Sequence, residues 1–231
     1  MANPKKRLPQ NVAGEFFVDS TCINCDACRQ LAPATFADSG EYSFVFAQPR
    51  TAEEQRQAVH ALLACPTGSI GTVHSNNASE VKADYPLPIE GGVYYCGYNS
   101  PKSFGGNSYF IQHPAGNWLI DSPKYLQYLV GRLEELGGIR YIFLTHRDDV
   151  ADAGRYAQRF GSQRIIHRQE LDSQPDAERN EETGLRRPFH IHNFGLINRN
   201  IDNLRTGRNN LNDSIFFCHS LLWCRLQVAK R

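Results

Sequence analysis

Three cysteines stand at every third position in Cys22-Ile23-Asn24-Cys25-Asp26-Ala27-Cys28, and a fourth, Cys65, is followed by Pro66 far downstream. This is the ligand pattern of a [4Fe-4S] cluster. Two-residue spacers let a short loop fold around one face of a cubane and turn its backbone N–H groups toward the sulfides, while the fourth corner comes from elsewhere in the chain. Pro66 supplies no N–H and fixes its own φ, so the chain leaves that corner in a set direction. A structural zinc site generally uses separated ligand pairs, which three cysteines in one short loop match poorly. A disulfide framework suits a short, cysteine-dense secreted chain. Cys96, Cys218 and Cys224 share no such spacing, so the sequence offers one ligand set: Cys22, Cys25, Cys28 and Cys65.

A second group of chemically capable residues lies in Thr145-His146-Arg147-Asp148-Asp149-Val150-Ala151-Asp152-Ala153. One histidine and three carboxylates at the C-terminal end of an expected strand form a shelf that suits zinc, manganese or iron. The same aspartates could equally cap the next helix and complement its dipole. His190 and His192 alternate as on a strand face, which could bring both to one metal, but no carboxylate accompanies them at matching spacing. Two histidines in a polar tail is the plainer reading.

The elements that would position these groups are legible from pattern. Phe16-Phe17-Val18 reads as a strand that delivers the chain to the cysteine loop, and Arg29 to Ala32 as one helical turn stopped by Pro33. Tyr42 to Phe46 alternates as a strand does. Thr51-Ala52-Glu53-Glu54 is a capping box. It opens a helix to about Leu63, with Gln55, Val59, Leu62 and Leu63 along one stripe, which sets Cys65 beside the other cysteines. Ile70 to Val73 reads as a closing strand, and His74 to Pro88, polar and then proline-bearing, as a linker.

A second pattern begins at Gly91. Gly92 to Tyr95, Ser108 to Ile111 and Trp118 to Ile120 are expected strands joined by Gly/Asn/Pro turns. A helix is expected with Ser122 as its N-cap, Pro123 at its first position and Gly137-Gly138 as its stop. Its buried face would be Leu126, Leu129, Val130, Leu133 and Leu136. Tyr141 to Leu144 is a near-continuous apolar run, hence a strand covered on both faces. A helix from about Ala151 to Phe160 and a strand at Ile165-Ile166 follow, which indicates a layered α/β unit with parallel pairs.

Two resemblances attach to these motifs. Cys-Ile-Asn-Cys-Asp-Ala-Cys, with Ala64-Cys65-Pro66-Thr67-Gly68-Ser69-Ile70, resembles a single-cluster [4Fe-4S] ferredoxin domain over about residues 10–75. That implies a low-potential, one-electron role for Cys22, Cys25, Cys28 and Cys65. Residues 88–172 resemble the first half of the metallo-β-lactamase fold, through Asn107 to Ile111, Leu119 to Pro123 and Phe143 to His146. Members of that family bind two metals with a His-x-His-x-Asp-His loop, and a metal-activated water attacks an ester, amide or phosphodiester. The resemblance implies His146 as the first ligand and Asp148 in the place of a second histidine, as in oxygen-reducing di-iron relatives. Asp152 is then the loop's aspartate, with one residue inserted. Ala153 stands where the closing histidine belongs, and the family's downstream Gly-His-Thr segment and final histidine do not occur.

Composition sets the outer bounds. The 231 residues carry 25 basic and 24 acidic side chains, net +1, which makes no case for nucleic acid or an anionic membrane as partner. Met1 to Gln10 is basic without an apolar run, unlike a secretory signal. Ile215 to Val228 is too short and too interrupted, by His219 and Arg225, to span a bilayer. Cluster-spaced thiols imply a reducing, cytoplasmic setting.

The expected fold is therefore α+β: a ferredoxin-like [4Fe-4S] domain at residues 10–75, a linker at 76–87, an incomplete αβ/βα metallo-β-lactamase-like domain at 88–172 and a divergent, partly disordered tail at 173–231. Within that tail the Asn- and Arg-rich residues 179–213 are expected to be mobile, since they bury too little area to offset their ordering entropy. The expected function is electron transfer or redox sensing with a redox partner protein, using one [4Fe-4S] cluster and at most one weakly held zinc or iron ion. The alternative is a metal-dependent hydrolase or di-iron oxidoreductase.

Overall fold

The structure, a computed structural model, describes residues 2–74 and 78–166, all within one compact unit spanning Met1–Ala177. His190, His192, Cys218, Cys224, the segment 179–213 and the last apolar stretch lie outside the described residues.

The cysteine-bearing half is a small α+β assembly. Strand β1 (Phe16–Val18) carries three consecutive apolar residues, all buried, into the cysteine loop. Helix α1 (Ala27–Leu31) follows, then a hairpin of β2 (Phe36–Asp38) and β3 (Ser43–Val45). Helix α2 (Ala52–Ala64) starts at the expected capping box. Thr51 Oγ1 accepts the Glu54 N–H, and the Glu54 carboxylate accepts the Thr51 N–H. Strand β4 (Ile70–Thr72) then returns antiparallel to β1.

The buried face of α2 departs from the expected stripe. Ala58, Val59, Ala61 and Ala64 face the core, Leu62 and Leu63 are only half-buried, and Gln55 is exposed. The reason is steric. Alanines at three-residue spacing let α2 approach α1 closely, so small side chains take the interface and the leucines its margin.

The stretch expected to be a linker is structured from residue 78 onward. Helix α3 (Ala78–Val81) leads into a single 3-10 turn at Lys82–Asp84. Val81 is fully buried in the core of the cysteine-bearing half. The Tyr85 hydroxyl, also fully buried, donates to the His60 carbonyl at 2.8 Å. Arg56 and His60 on α2 both hold the Asp84 carboxylate, His60 at 2.6 Å. Polar composition gave the appearance of a tether here, but two apolar anchors and one ion-paired aspartate bind it down.

Six strands form the remaining sheet: β5 (Leu87–Glu90), β6 (Val93–Tyr95), β7 (Tyr109–Ile111), β8 (Trp118–Ile120), β9 (Tyr141–Leu144) and β10 (Gln163–Ile166). They lie in the order β10-β9-β8-β7-β6-β5. β8, β9 and β10 are mutually parallel and the rest antiparallel, in keeping with the parallel pairs expected from the strand–helix alternation. β9 buries Ile142 and Leu144 fully, while Tyr141 and Phe143 on its other face are half-buried, so it is less enclosed than its apolar run suggests.

Two helices connect the parallel strands. Helix α4 (Gln127–Glu135) buries Leu129, Val130 and Leu133, and Gly137 and Gly138 end it at φ +101° and +72°. It begins at Gln127, not after the expected cap at Ser122. Residues 121–126 are drawn off the helical path by tertiary bonds: the Lys124 N–H donates to the Tyr98 carbonyl and the Tyr125 N–H to Asp152. Helix α5 (Ala153–Phe160) has Asp152 at its N-cap position but without a side-chain capping bond. Among the described residues, no helix is long and apolar enough to cross a membrane.

Candidate iron-sulfur site

The cysteine loop is held in shape by conformations that are uncommon for residues other than glycine. Asn24 and Asp26, one on each side of Cys25, have φ of +53° and +67°. Asn and Asp tolerate this region best, and reversing the backbone here curls the loop inward. The Asn24 N–H donates to Cys22 Sγ at 3.4 Å.

Arg29, one turn into α1, secures both left-handed residues. Its Nη1 donates to Asn24 Oδ1 at 2.5 Å, and its Nε to Asp26 Oδ1 at 2.6 Å. Nη1 also donates to Ser43 Oγ at 2.7 Å, tying the loop to β3. Sequence reasoning passed over Arg29. The signal was an arginine three residues after an aspartate in a loop otherwise lacking charge compensation.

The fourth cysteine comes from the end of α2. Cys65 is its C-cap and still donates its N–H to the Ala61 carbonyl at 3.0 Å. Gly68 takes φ +65°, and this turn lets the Ser69 N–H donate back to Cys65 Sγ at 3.3 Å. Thr21, Thr67 and Ser69 join their hydroxyls beneath it, and the buried Asp19 carboxylate anchors Thr21.

All four cysteines line one recess of about 320 Å³ including its open mouth, walled on its apolar side by Val18, Ala27 and Ile70. None of the four is in a disulfide. Burial pushes the Cys25 thiol up to about 11 and Cys28 to about 12. Without a cationic group in the recess, these two therefore carry protons at neutral pH, and binding iron must displace them.

The donor set fits a polynuclear iron-sulfur group. It is soft thiol throughout, with backbone N–H groups already directed at two of the sulfurs. No group of three or more His, Cys, Asp or Glu among the described residues is drawn tightly enough around a point to hold a single ion. A zinc ion would take sulfur at ~2.3 Å and crowd its ligands. Cys96 is fully buried, is not part of the recess, and is pushed up to about 12 by its burial.

The second group of candidate residues is arranged differently. His146 and Asp148 are both more than half exposed, and His146 Nδ1 lies 3.4 Å from Asp148 Oδ2 and 3.2 Å from the Asp148 N–H. That nitrogen accepts the amide only when it carries no proton, and pairs with the carboxylate only when it does. Asp152 is engaged elsewhere: Oδ1 pairs with Lys102 Nζ at 2.9 Å, and Oδ2 accepts the Tyr125 N–H at 3.0 Å. The three residues named from the loop therefore do not converge here.

Among the described residues, one strongly altered carboxylate is one that sequence reasoning did not select as a ligand. Asp121, buried and at φ +55°, accepts both the N–H and the hydroxyl of Thr145 at 2.8 Å. Burial, with the nearby Asp149 adding to it, pushes Asp121 up to about 7 despite those bonds.

Residues 18–72 match the family described as the 4Fe-4S single cluster domain of Ferredoxin I. That stretch contains every cysteine that lines the recess, and the structure around it is mixed α/β. No curated protein matches the chain. Among solved structures, a B3 metallo-β-lactamase described as having an active-site glutamic acid is 21% identical, with a TM-score of 0.30. The match covers 42% of this chain and 39% of that one, and a likeness at this level assigns neither fold nor activity to the six-stranded sheet.

Proposed function

We propose that this protein is an iron-sulfur redox protein in which Cys22, Cys25, Cys28 and Cys65 hold one [4Fe-4S] cluster. The observation that carries this reading is that all four thiols, from two distant segments, open onto one recess. A cluster bound there supplies reversible one-electron chemistry.

The chain's own residues do the rest. Arg29 fixes the loop, and the Asn24 and Ser69 N–H groups donate to ligand sulfurs. Such donors stabilise the more negative, reduced state and raise the potential. Cys22 and Cys25 flank Ile23, an exposed apolar residue at the mouth of the recess, where a redox partner protein would approach. The role is electron transfer or redox sensing, in a reducing compartment that preserves the thiolates.

The six-stranded half would serve as a metallo-β-lactamase-like partner domain. The reading rests on the motifs around Asn107, Asp121 and Thr145. The Asp121 carboxylate accepts the hydroxyl of Thr145, the residue before His146, at 2.8 Å. With Ala153 unable to ligate and Asp152 already paired with Lys102, any metal at His146, Asp148 and Asp152 would be weakly held.

Serine replacements test the ligand assignment. Cys65→Ser should lose or degrade the cluster, read as loss of iron, sulfide and visible absorbance, whereas Cys96→Ser should keep all three. Equal loss from both variants would defeat the assignment.

A further inference from the structure

The residues that line the recess all lie within 18–70, but a turn from the other half packs against them from outside. Gly105, in the turn before β7, is buried against the cysteine loop at φ +84°. A Cβ built there would lie 2.8 Å from Cys25 Cβ, 3.2 Å from Cys25 Sγ and 3.0 Å from Pro66 Cγ. The backbone of this turn therefore touches a proposed ligand and the proline after another, and only glycine allows the approach.

Further hydrogen bonds hold the turn and the segment around Cys65 in place. The Gly105 N–H donates to the Ser100 carbonyl at 3.0 Å, and the Gly105 carbonyl accepts from Asn99 Nδ2 at 3.0 Å. Asn99 is fully buried, and its own N–H donates to the Ala64 carbonyl at 3.2 Å, one residue before Cys65. From the other side, Lys124 Nζ donates to the Pro66 carbonyl at 2.8 Å.

We propose that Gly105, Asn99 and Lys124 are positioning residues of the iron-sulfur site: the turn at residues 99–106 is its outer wall, packed on Cys25 and Pro66, and with Lys124 it holds Cys25 and Cys65 in place. This rests on the reading that the four cysteines hold the cluster. The wall acts through the ligands, since it packs on Cys25 and fixes the Ala64 carbonyl before Cys65, while Lys124 fixes the Pro66 carbonyl after it. It makes the six-stranded half part of the site.

The test measures anaerobic iron loss to a water-soluble chelator from three full-length variants, each loaded to the same iron and sulfide content. Gly105→Ala inserts the clashing Cβ. Gly92→Ala is the control, because Gly92 has φ +81° but its Cβ would meet nothing closer than 3.5 Å, so it imposes the same backbone strain away from the recess. Lys124→Met removes the tie to Pro66 without any backbone strain, and so remains informative if Gly105→Ala does not fold.

Gly105→Ala and Lys124→Met should lose iron faster than wild type on the order of tenfold, the usual cost of removing an outer support of a metal site. Both should also alter the electron paramagnetic resonance line shape of the reduced cluster, while Gly92→Ala matches wild type in both readouts. Wild-type release rates and spectra in both Gly105→Ala and Lys124→Met, or in Lys124→Met alone when the glycine variant does not fold, would overturn the wall. So would an equal change in Gly92→Ala. A wild-type protein that binds no iron and sulfide would instead overturn the cluster reading beneath it.

Discussion

Replacing Asp121 with Asn should make the protein more stable at neutral and alkaline pH, and the gain should vanish in acid. The Asp121 carboxylate is buried and accepts hydrogen bonds from Thr145, and its burial pushes it from 3.8 up to about 7. Below pH 3.8 the carboxyl is protonated in both the folded and the unfolded chain, so it contributes no pH dependence. Between 3.8 and about 7 the unfolded chain releases that proton while the folded chain keeps it, so stability falls as pH rises. Above about 7 the full penalty stands.

The rise from 3.8 to about 7 corresponds to roughly 4 kcal/mol as an upper bound. For a chain of this size, ~1 kcal/mol moves the Tm by about 2–4 °C, so the largest gap is on the order of 10 °C. Asn is a suitable probe because it tolerates the left-handed conformation and offers Thr145 the same hydrogen-bond pattern as the protonated acid. The assay is anaerobic thermal unfolding of cluster-loaded wild type and Asp121→Asn from pH 4 to 8 at constant ionic strength. A gap that is small at pH 4 and widens to pH 8, with the variant the more stable, is expected. A gap independent of pH, or wild type gaining on the variant above pH 7, would refute the reasoning.

Other expectations are smaller in scope. Tyr85→Phe strands the His60 carbonyl and should cost about 1 kcal/mol in denaturant unfolding, which checks that residues 78–85 are part of the packed structure. Asp84 should contribute to acid lability: its burial raises the carboxyl, but the bonds from Arg56 and His60 outweigh that and leave it below 3.8. Its stabilisation is therefore complete above pH 3.8 and lost as pH falls through the lowered value, and Asp84→Asn should flatten the stability curve below pH 4. Arg29→Ala should release the curl at Asn24 and Asp26 and speed iron loss several-fold, with Arg29→Lys only a partial rescue, because one ammonium cannot reproduce the guanidinium's fork. Hydrolysis of esters and phosphodiesters should be weak or absent, and His146→Ala should change stability by less than ~0.5 kcal/mol. Robust turnover that His146→Ala abolishes would contradict the account of that loop.

Much of the fold could be read from short-range chemistry. The capping box at Thr51 and Glu54, the buried run at Phe16–Val18 and the glycines after α4 are each set by residues within a turn of one another, and each appears where expected. Cys22, Cys25 and Cys28 were legible for the same reason, whereas Cys65 was marked by the proline that follows it. What sequence could not give depends on contacts between distant segments. Ser122 and Pro123 look like a helix start, yet Tyr98 and Asp152 claim the following N–H groups and delay α4 to Gln127. Ala58, Ala61 and Ala64 look weaker than Leu62 and Leu63, but close approach to α1 favours the smaller residues. Asp152 offered a plausible ligand until Lys102, fifty positions away, appeared as its partner. Gly105 carries no local signal of its closeness to Cys25.

The central claim is that four thiols at one recess hold a four-iron cluster. Iron and acid-labile sulfide, counted per chain in anaerobically purified protein, test it most directly. The account predicts brown protein with about four of each. One iron or one zinc per chain without sulfide, or protein that takes up neither iron nor sulfide on anaerobic reconstitution, would contradict it.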